Sequence, residues 1–207
     1  SGVVRAYDIR SGEQRWAWNP VPPGMEQRDE DGSFRSGTTN VWSIISVDPE
    51  RDLVFIPTGN TSPDYYGGHR DGLDYYSSSV VALHAATGEV AWHYQMVHHD
   101  IWDYDTPAQP TLMDLEVDGV MVPVVVQVTK MGLTFVLHRD TGEPVYPVEE
   151  RPVPQNPAEG EYLSPTQPFP THFPNLVSPI PAADAWGTLI WDEMTCWLLY
   201  TYNAADE

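Results

Sequence analysis

An all-β fold built by radial repetition, a β-propeller, is the architecture this 207-residue sequence predicts. Three observations predict it. A unit of strand, Ser/Thr-Gly-Glu turn and strand recurs at intervals of tens of residues, most other convincing segments are short strands, and long helical periodicity is absent.

The repeated unit runs first as Val4-Arg5-Ala6-Tyr7-Asp8-Ile9-Arg10-Ser11-Gly12-Glu13-Gln14-Arg15-Trp16. It returns as Val81-Ala82-Leu83-His84-Ala85-Ala86-Thr87-Gly88-Glu89-Val90-Ala91-Trp92, and again as Phe135-Val136-Leu137-His138-Arg139-Asp140-Thr141-Gly142-Glu143-Pro144-Val145-Tyr146. Alternating apolar residues lead into a glycine that tolerates positive φ, and the outgoing strand delivers a bulky aromatic three or four residues later. An aromatic delivered at the same point of each unit can wedge between neighbouring sheets, which is how Trp16 and Trp92 are read. The turn glycines lie 76 and 54 residues apart. Residues 20–39 and 61–77 are therefore expected to be long loops on a common rim, and the Pro-rich stretch 147–181 a loop or crossover with little regular structure.

Short strands are expected at 42–47, 53–57, 80–83, 120–128, 134–137, 188–191 and 196–200. With three recognisable turns and a fourth unit ending near Tyr202, the chain holds three to four blades, about half of a closed propeller. It starts inside a strand pattern and stops without a terminal signal, so residues 1–207 are expected to be a partial propeller domain of a longer chain.

Composition bounds the function. The formal charge is −20, with nine arginines and one lysine, which argues against binding nucleic acid or an anionic membrane, both of which need basic patches. Apolar residues make up 41% of the chain, ample for a core, yet no segment approaches the length needed to span a bilayer. Cys196 has no internal partner and flanks apolar residues, as an inert buried thiol would.

The single lysine, Lys130, follows the dry run Val122-Pro123-Val124-Val125-Val126-Gln127-Val128-Thr129. A compact ammonium at a strand end suits a developing oxyanion or a carboxylate, and it also suits a lysine snorkelling off an edge strand. Taken alone, Asp103 in the acidic run Asp100-x-x-Asp103-x-Asp105 reads as a turn carboxylate, Asn60 after Gly59 as a turn residue and Trp42 as a core tryptophan. His98 and His99, adjacent and expected on a strand, would point to opposite faces and so not chelate one ion.

The repeat resembles the docking repeat Ala-x-Asp-x-x-Thr-Gly-x-x-x-Trp of the quinoprotein dehydrogenases that use pyrroloquinoline quinone (PQQ), whose propellers have eight blades. The run His98-His99-Asp100-Ile101-Trp102-Asp103-Tyr104-Asp105-Thr106-Pro107-Ala108-Gln109-Pro110-Thr111-Leu112 resembles the membrane-bound glucose dehydrogenase branch, which includes quinate and polyol enzymes. So do Lys130, Pro152-Val153-Pro154-Gln155 and Pro165-Thr166-Gln167-Pro168-Phe169. The resemblance implies PQQ with Ca²⁺ or Mg²⁺, and oxidation of a sugar or polyol by hydride transfer to the quinone. Electrons would pass on to ubiquinone or another acceptor of a quinone pool.

By the same resemblance Asp103 is the general base and a metal ligand, Lys130 the cationic partner of the quinone, Trp42 the floor under the cofactor and Asn60 a metal ligand. One of His98 and His99 would line the substrate pocket. The setting implied is the periplasmic face of the inner membrane, with any anchor and the remaining blades outside this chain, which alone would be inactive. A non-catalytic propeller scaffold and a degenerate paralogue that binds a sugar or partner stay open as alternatives.

Overall fold

Alternation along one strand shows how the chain builds its core. The computed structural model describes residues 2–177, 189–192 and 194–195. The chain divides into two units, Ser1–Asn175 and Leu176–Glu207. The first contains β1 (Val4–Tyr7), β2 (Gln14–Trp18), β3 (Ser46–Asp48), β4 (Leu53–Pro57), β5 (Ser79–His84) and β6 (Val90–Gln95). These are followed by β7 (Thr111–Val117), β8 (Val120–Val128), β9 (Thr134–His138), β10 (Val148–Pro152) and β11 (Thr166–Pro170). All pairings are antiparallel between sequence neighbours: β1-β2, β3-β4-β5-β6, β7-β8-β9 and β10-β11.

Val80, Val81, Ala82 and Leu83 of β5 are all fully buried. Val80 and Ala82 join Phe55, Trp92, Val125, Phe135 and Leu137 in a core shared with the β7-β8-β9 sheet. Val81 and Leu83 join Trp18, Ile56 and Tyr76, with Val4 and Trp16 packed against them, in a core shared with β1-β2. A strand's period of two thus serves two interfaces, and the middle sheet is covered on both faces. Burial of each such large aliphatic or aromatic side chain contributes about 1.5–3 kcal/mol.

The repeat is visible in the register. Ala6 pairs with Trp16 and Ala82 with Trp92, and in both hairpins the register shifts immediately after the alanine. Each tryptophan then reaches the turn of the next unit: the Trp16 indole N–H donates to Ala85 O at 2.8 Å and the Trp92 indole N–H to Arg139 O at 3.0 Å. Across the same seam the buried Arg139 donates to Asp48 Oδ2 at 2.7 Å, and on its own sheet to Asp114 Oδ1 at 2.5 Å. In the third unit the outgoing strand is reduced to a bridge, Leu137 opposite Pro144, because proline cannot extend the ladder.

Four sequence expectations need correction. Of residues 42–47 only 46–47 are strand; before them Ser43 donates its hydroxyl to Pro107 O, in a segment without strand structure. The segment 147–181, expected to be a loop or crossover with little regular structure, contains the hairpin β10-β11, whose two-stranded form leaves edges on which Pro152, Pro168 and Pro170 are tolerated. A strand not anticipated, β7, pairs along its whole length with β8. In the second unit Ile190 and Trp191, expected as strand, are helical, as are Asp192, Met194 and Thr195. The expected strand 196–200, Cys196 and the end of a fourth unit at Tyr202 lie outside the described residues. Loops 20–39 and 61–77 contain no strand, as expected; the first is gathered by Asn19 Nδ2, which donates to Gln27 O and Arg35 O.

Candidate active site

The candidate site forms where three irregular segments, 39–43, 58–61 and 98–106, meet the β8-β9 turn. Asp100 organises the last of the three. It is fully buried, its Oδ2 accepts from the Ser78 hydroxyl at 2.7 Å, and its Oδ1 accepts from the Trp102 amide at 2.9 Å. An aspartate bonding the amide two residues on makes a local turn, and the chain leaves it with Asp103 at φ 60°. That left-handed conformation costs a non-glycine residue about 1–2 kcal/mol. Burial pushes the Asp100 carboxyl up, against its hydrogen bonds.

Lys130 sits in the turn after β8, which closes by Thr129 N–H donating to Leu133 O at 3.0 Å and Gly132 N–H to Thr129 O at 3.0 Å. Its Nζ donates to Asp103 O at 2.7 Å, to Asp103 Oδ2 at 3.2 Å and to Asp105 Oδ2 at 3.2 Å. Three acceptors match the three donors of an ammonium. Partial burial opposes the charge on Lys130, but the two carboxylates outweigh it and raise its pKa. Burial and the neighbouring Asp105 charge raise the pKa of Asp103, with Lys130 opposing them. The result is a carboxylate more basic than an ordinary aspartate, beside a lysine that stays protonated.

Asp105 extends this pair to the other segments. Its Oδ1 accepts from the Asn60 amide, and Gly59 N–H donates to Asn40 O at 2.8 Å. Gly59 is the point of convergence: a Cβ there would lie 2.7 Å from Asn40 Oδ1, 2.7 Å from Asp105 Oδ1 and 3.1 Å from Trp42 Nε1. Any side chain at 59 would therefore displace the group. Trp42 is 55% exposed, so it presents a ring to solvent where most of the large core residues are fully buried.

The structure brings Asp103, Lys130, Asp105 and Trp42 into one neighbourhood. Asn60 contributes its backbone there, while its side chain turns into the loop 61–77. Its Oδ1 accepts from Thr61 N–H at 2.7 Å and from the Ser77 hydroxyl at 3.2 Å, and its Nδ2 donates to Asp64 O at 2.9 Å. Asp105 and Asn40 were not singled out from sequence. The acidic run contains Asp105, but only its contacts with the Asn60 amide and with Lys130, both remote in sequence, distinguish it from a solvated turn carboxylate.

His98 and His99 follow β6 rather than lying on a strand, and His99 has φ 45°. They do face different partners. His98 lies 3.0 Å from Gln95 Oε1 through Nδ1 and 3.1 Å from Glu150 Oε1 through Nε2. His99 is buried, with Nδ1 2.6 Å from Asp74 Oδ2 and Nε2 3.0 Å from Glu161 Oε1, and its ring stacks on Tyr162 at 3.7 Å. Burial opposes protonation of His99, but the two carboxylates prevail and raise its pKa.

These residues fit a planar anionic cofactor accompanied by a hard cation. The exposed indole offers a stacking face, the ammonium a counter-charge, and Asp103 and Asp105 offer oxygen donors of the kind Ca²⁺ and Mg²⁺ take. Among the described residues no cluster of three or more His, Cys, Asp or Glu forms a ready metal cage, so a cation here would draw on the cofactor or on other residues.

Comparison with known proteins agrees with this chemistry. Residues 1–205 match the family described as glucose/ethanol/alcohol dehydrogenase, PQQ, beta-propeller domain. The chain is 43% identical over 203 residues to the quinoprotein glucose dehydrogenase of Escherichia coli (strain K12), covering 97% of this chain and 25% of that protein. It is 40% identical over 199 residues to the quinate/shikimate dehydrogenase (quinone) of Acinetobacter baylyi (strain ATCC 33305 / BD413 / ADP1), covering 94% of this chain and 25% of that protein. The quinohemoprotein alcohol dehydrogenase from Comamonas testosteroni superposes with a TM-score of 0.57 at 26% identity, covering 88% of this chain and 28% of that one. The chain thus spans about a quarter of the length of the curated relatives it matches. Repeat, register and comparison together place it, as a partial propeller, in the PQQ-dependent dehydrogenase β-propeller family.

Proposed function

We propose that the protein carrying this chain oxidises a CH–OH group of a sugar or polyol by hydride transfer to PQQ, with electrons delivered onward to ubiquinone or another acceptor of a membrane quinone pool. The observation that carries this reading is the Lys130 ammonium shared between Asp103 and Asp105 beside Trp42 and Gly59. The names of the relatives, which act on glucose and on quinate or shikimate, support the substrate class, and the second name includes a quinone.

Asp103 is the general base. Its carboxylate takes the substrate hydroxyl proton, and burial beside Asp105 makes it a better proton acceptor than a solvated aspartate. Lys130 supplies the positive charge that stabilises negative charge developing next to it, and its hydrogen bond to Asp103 O holds the base in its left-handed conformation. Trp42 is the stacking floor. Bound on that floor, PQQ supplies an electrophilic two-electron acceptor, which no side chain of this chain can provide. A Ca²⁺ or Mg²⁺ ion would take oxygens from Asp103 and Asp105, and Asn60 would join it only by releasing Ser77 and Thr61. One face of His98, which is partly exposed, is the pocket position of the histidine pair, and His99 is the structural one. The setting proposed is the periplasmic face of the inner membrane, with anchor and remaining blades supplied outside residues 1–207.

The test is dye-linked oxidation by the full-length protein over glucose, quinate and glycerol, with and without PQQ and with Ca²⁺ or Mg²⁺. Turnover that requires PQQ and a divalent ion supports the reading. A folded propeller that binds no PQQ points instead to a scaffold, and one that binds PQQ without turnover to a degenerate paralogue.

A further inference from the structure

The hairpin β10-β11 grips the segment that leads into Asp103. Gln167, in β11, makes a two-point contact with the backbone of His98: its Nε2 donates to His98 O at 2.7 Å and its Oε1 accepts from His98 N–H at 2.8 Å. Those are the two bonds a neighbouring strand would make, supplied by one side-chain amide where the β5-β6 ladder has ended. The hairpin adds Glu150, whose Oε1 faces His98 Nε2 while its Oε2 accepts from the Thr166 hydroxyl at 2.7 Å. Two residues on, Arg70 Nη1 donates to Asp100 O at 2.6 Å and the Ser78 hydroxyl donates to the Asp100 carboxylate.

Between these anchors and Asp103 there is only a short turn. Asp103 itself is in a left-handed conformation that Lys130 holds from beyond. With His98 released, the base would depend on the anchors at His99 and Asp100 behind it, and Lys130's grip would have to carry more of the conformational penalty. Placement of a reacting group to a fraction of an ångström is what such supporting contacts secure.

We propose that Gln167 is a positioning residue for the reaction: it clamps the backbone of His98 and so fixes where the Asp103 carboxylate stands. The inference rests on the reading of Asp103 as the base. It assigns a task to the Thr166-Gln167-Pro168 stretch, since prolines at 168 and 170 stiffen the strand that aims the amide.

The experiment uses the full-length, PQQ-loaded protein, with sites counted by bound PQQ. Gln167→Met keeps the length of the side chain and removes both bonds. The expected result is a fall in kcat per loaded site of about ten- to a hundredfold, with KM and PQQ affinity within about threefold of the parent, because the stacking floor and Lys130 are untouched. Hydrogen exchange supplies a readout independent of turnover: amides in peptides covering 97–104 should exchange faster in the variant, while those of β8 stay unchanged. If Gln167→Met does not fold, Gln167→Glu, which still accepts from His98 N–H, should show the same pattern in smaller measure.

A kcat per site within about twofold of the parent overturns the proposal, leaving Gln167 a merely structural contact. So does a lower kcat with unchanged exchange at 97–104, which would mean Gln167 acts by another route. If the parent itself turns over no substrate, the dehydrogenase reading fails separately, and the clamp is then decided by exchange alone, unchanged exchange overturning it.

Discussion

Lys130 holds Asp103 twice, by its backbone carbonyl at 2.7 Å and by its carboxylate at 3.2 Å. The first bond fixes a conformation and the second places a charge, so one side chain sets both the position and the electrostatics of the base. Lys130→Met removes both while keeping the apolar stem. The expected outcome is a loss in kcat of about 10²- to 10³-fold, as for removal of an oxyanion-stabilising donor. Circular dichroism and Tm should stay close to the parent, because the side chain is a third exposed and supports no core. Steady-state kinetics on PQQ-loaded protein checks this.

Gly142 and Gly12 have nearly the same φ, 74° and 73°, but different surroundings. A Cβ at Gly142 would lie 2.4 Å from Trp92 Cε3, whereas one at Gly12 meets nothing within 4 Å. Gly12→Ala should cost only the left-handed penalty, about 1 kcal/mol. Gly142→Ala should cost that and the displacement of a docked indole, in all about 3–4 kcal/mol. Thermal or denaturant unfolding of the full-length protein should separate the two variants. Equal effects would mean that the tryptophan seam contributes little.

His99 predicts a pH dependence in the loop that carries Glu161. Its pKa is raised above 6.5 in the folded protein, despite burial and the repulsion of Arg70, by Asp74 and Glu161. The stabilisation it provides is complete below about 6.5 and is lost as pH rises through the folded value. Asp74 and Glu161 have lowered pKa values, burial opposing and His99 prevailing, so their contribution is lost as pH falls through the acidic range. Tyr162, stacked on the ring, has its own pKa raised by burial and by the same carboxylates. Protection factors for amides 158–165 should therefore be highest in weakly acidic solution and fall above neutrality. In His99→Gln the fall above neutrality should vanish, and a parent whose protection does not change between neutral and alkaline pH contradicts the clasp.

The sequence disclosed what repeats and what is chemically rare. Trp16 and Trp92 were legible as wedges because glycine, turn and aromatic recur together, and the structure places each against the next unit's turn. Lys130 was legible because it is the sole lysine of the chain. Gln167 lies in a stretch that carries the family resemblance, but its task is not legible there, because its partner, the backbone of His98, lies 69 residues away. The hairpin β10-β11 was missed for a related reason: prolines argue locally against strands, and only pairing across residues 153–165 overrides them. Residues 42–47 erred the other way. Their apolar pattern suggests a strand throughout, but Ile44 is exposed and Ser43 bonds an irregular segment, so pairing begins only at Ser46. Asn60 and Asp105 exchange prominence on the same principle, since which oxygen faces the site depends on a loop closed by Ser77.

Asp103→Asn tests the central claim most directly, because it keeps the shape of the side chain and removes its ability to accept the hydroxyl proton. The measurement is turnover of the full-length protein beside direct titration with PQQ. The account predicts PQQ binding within about threefold of the parent and a fall in kcat of at least about 10²-fold. An Asp103→Asn protein that binds PQQ and turns over at the parent's rate would contradict it.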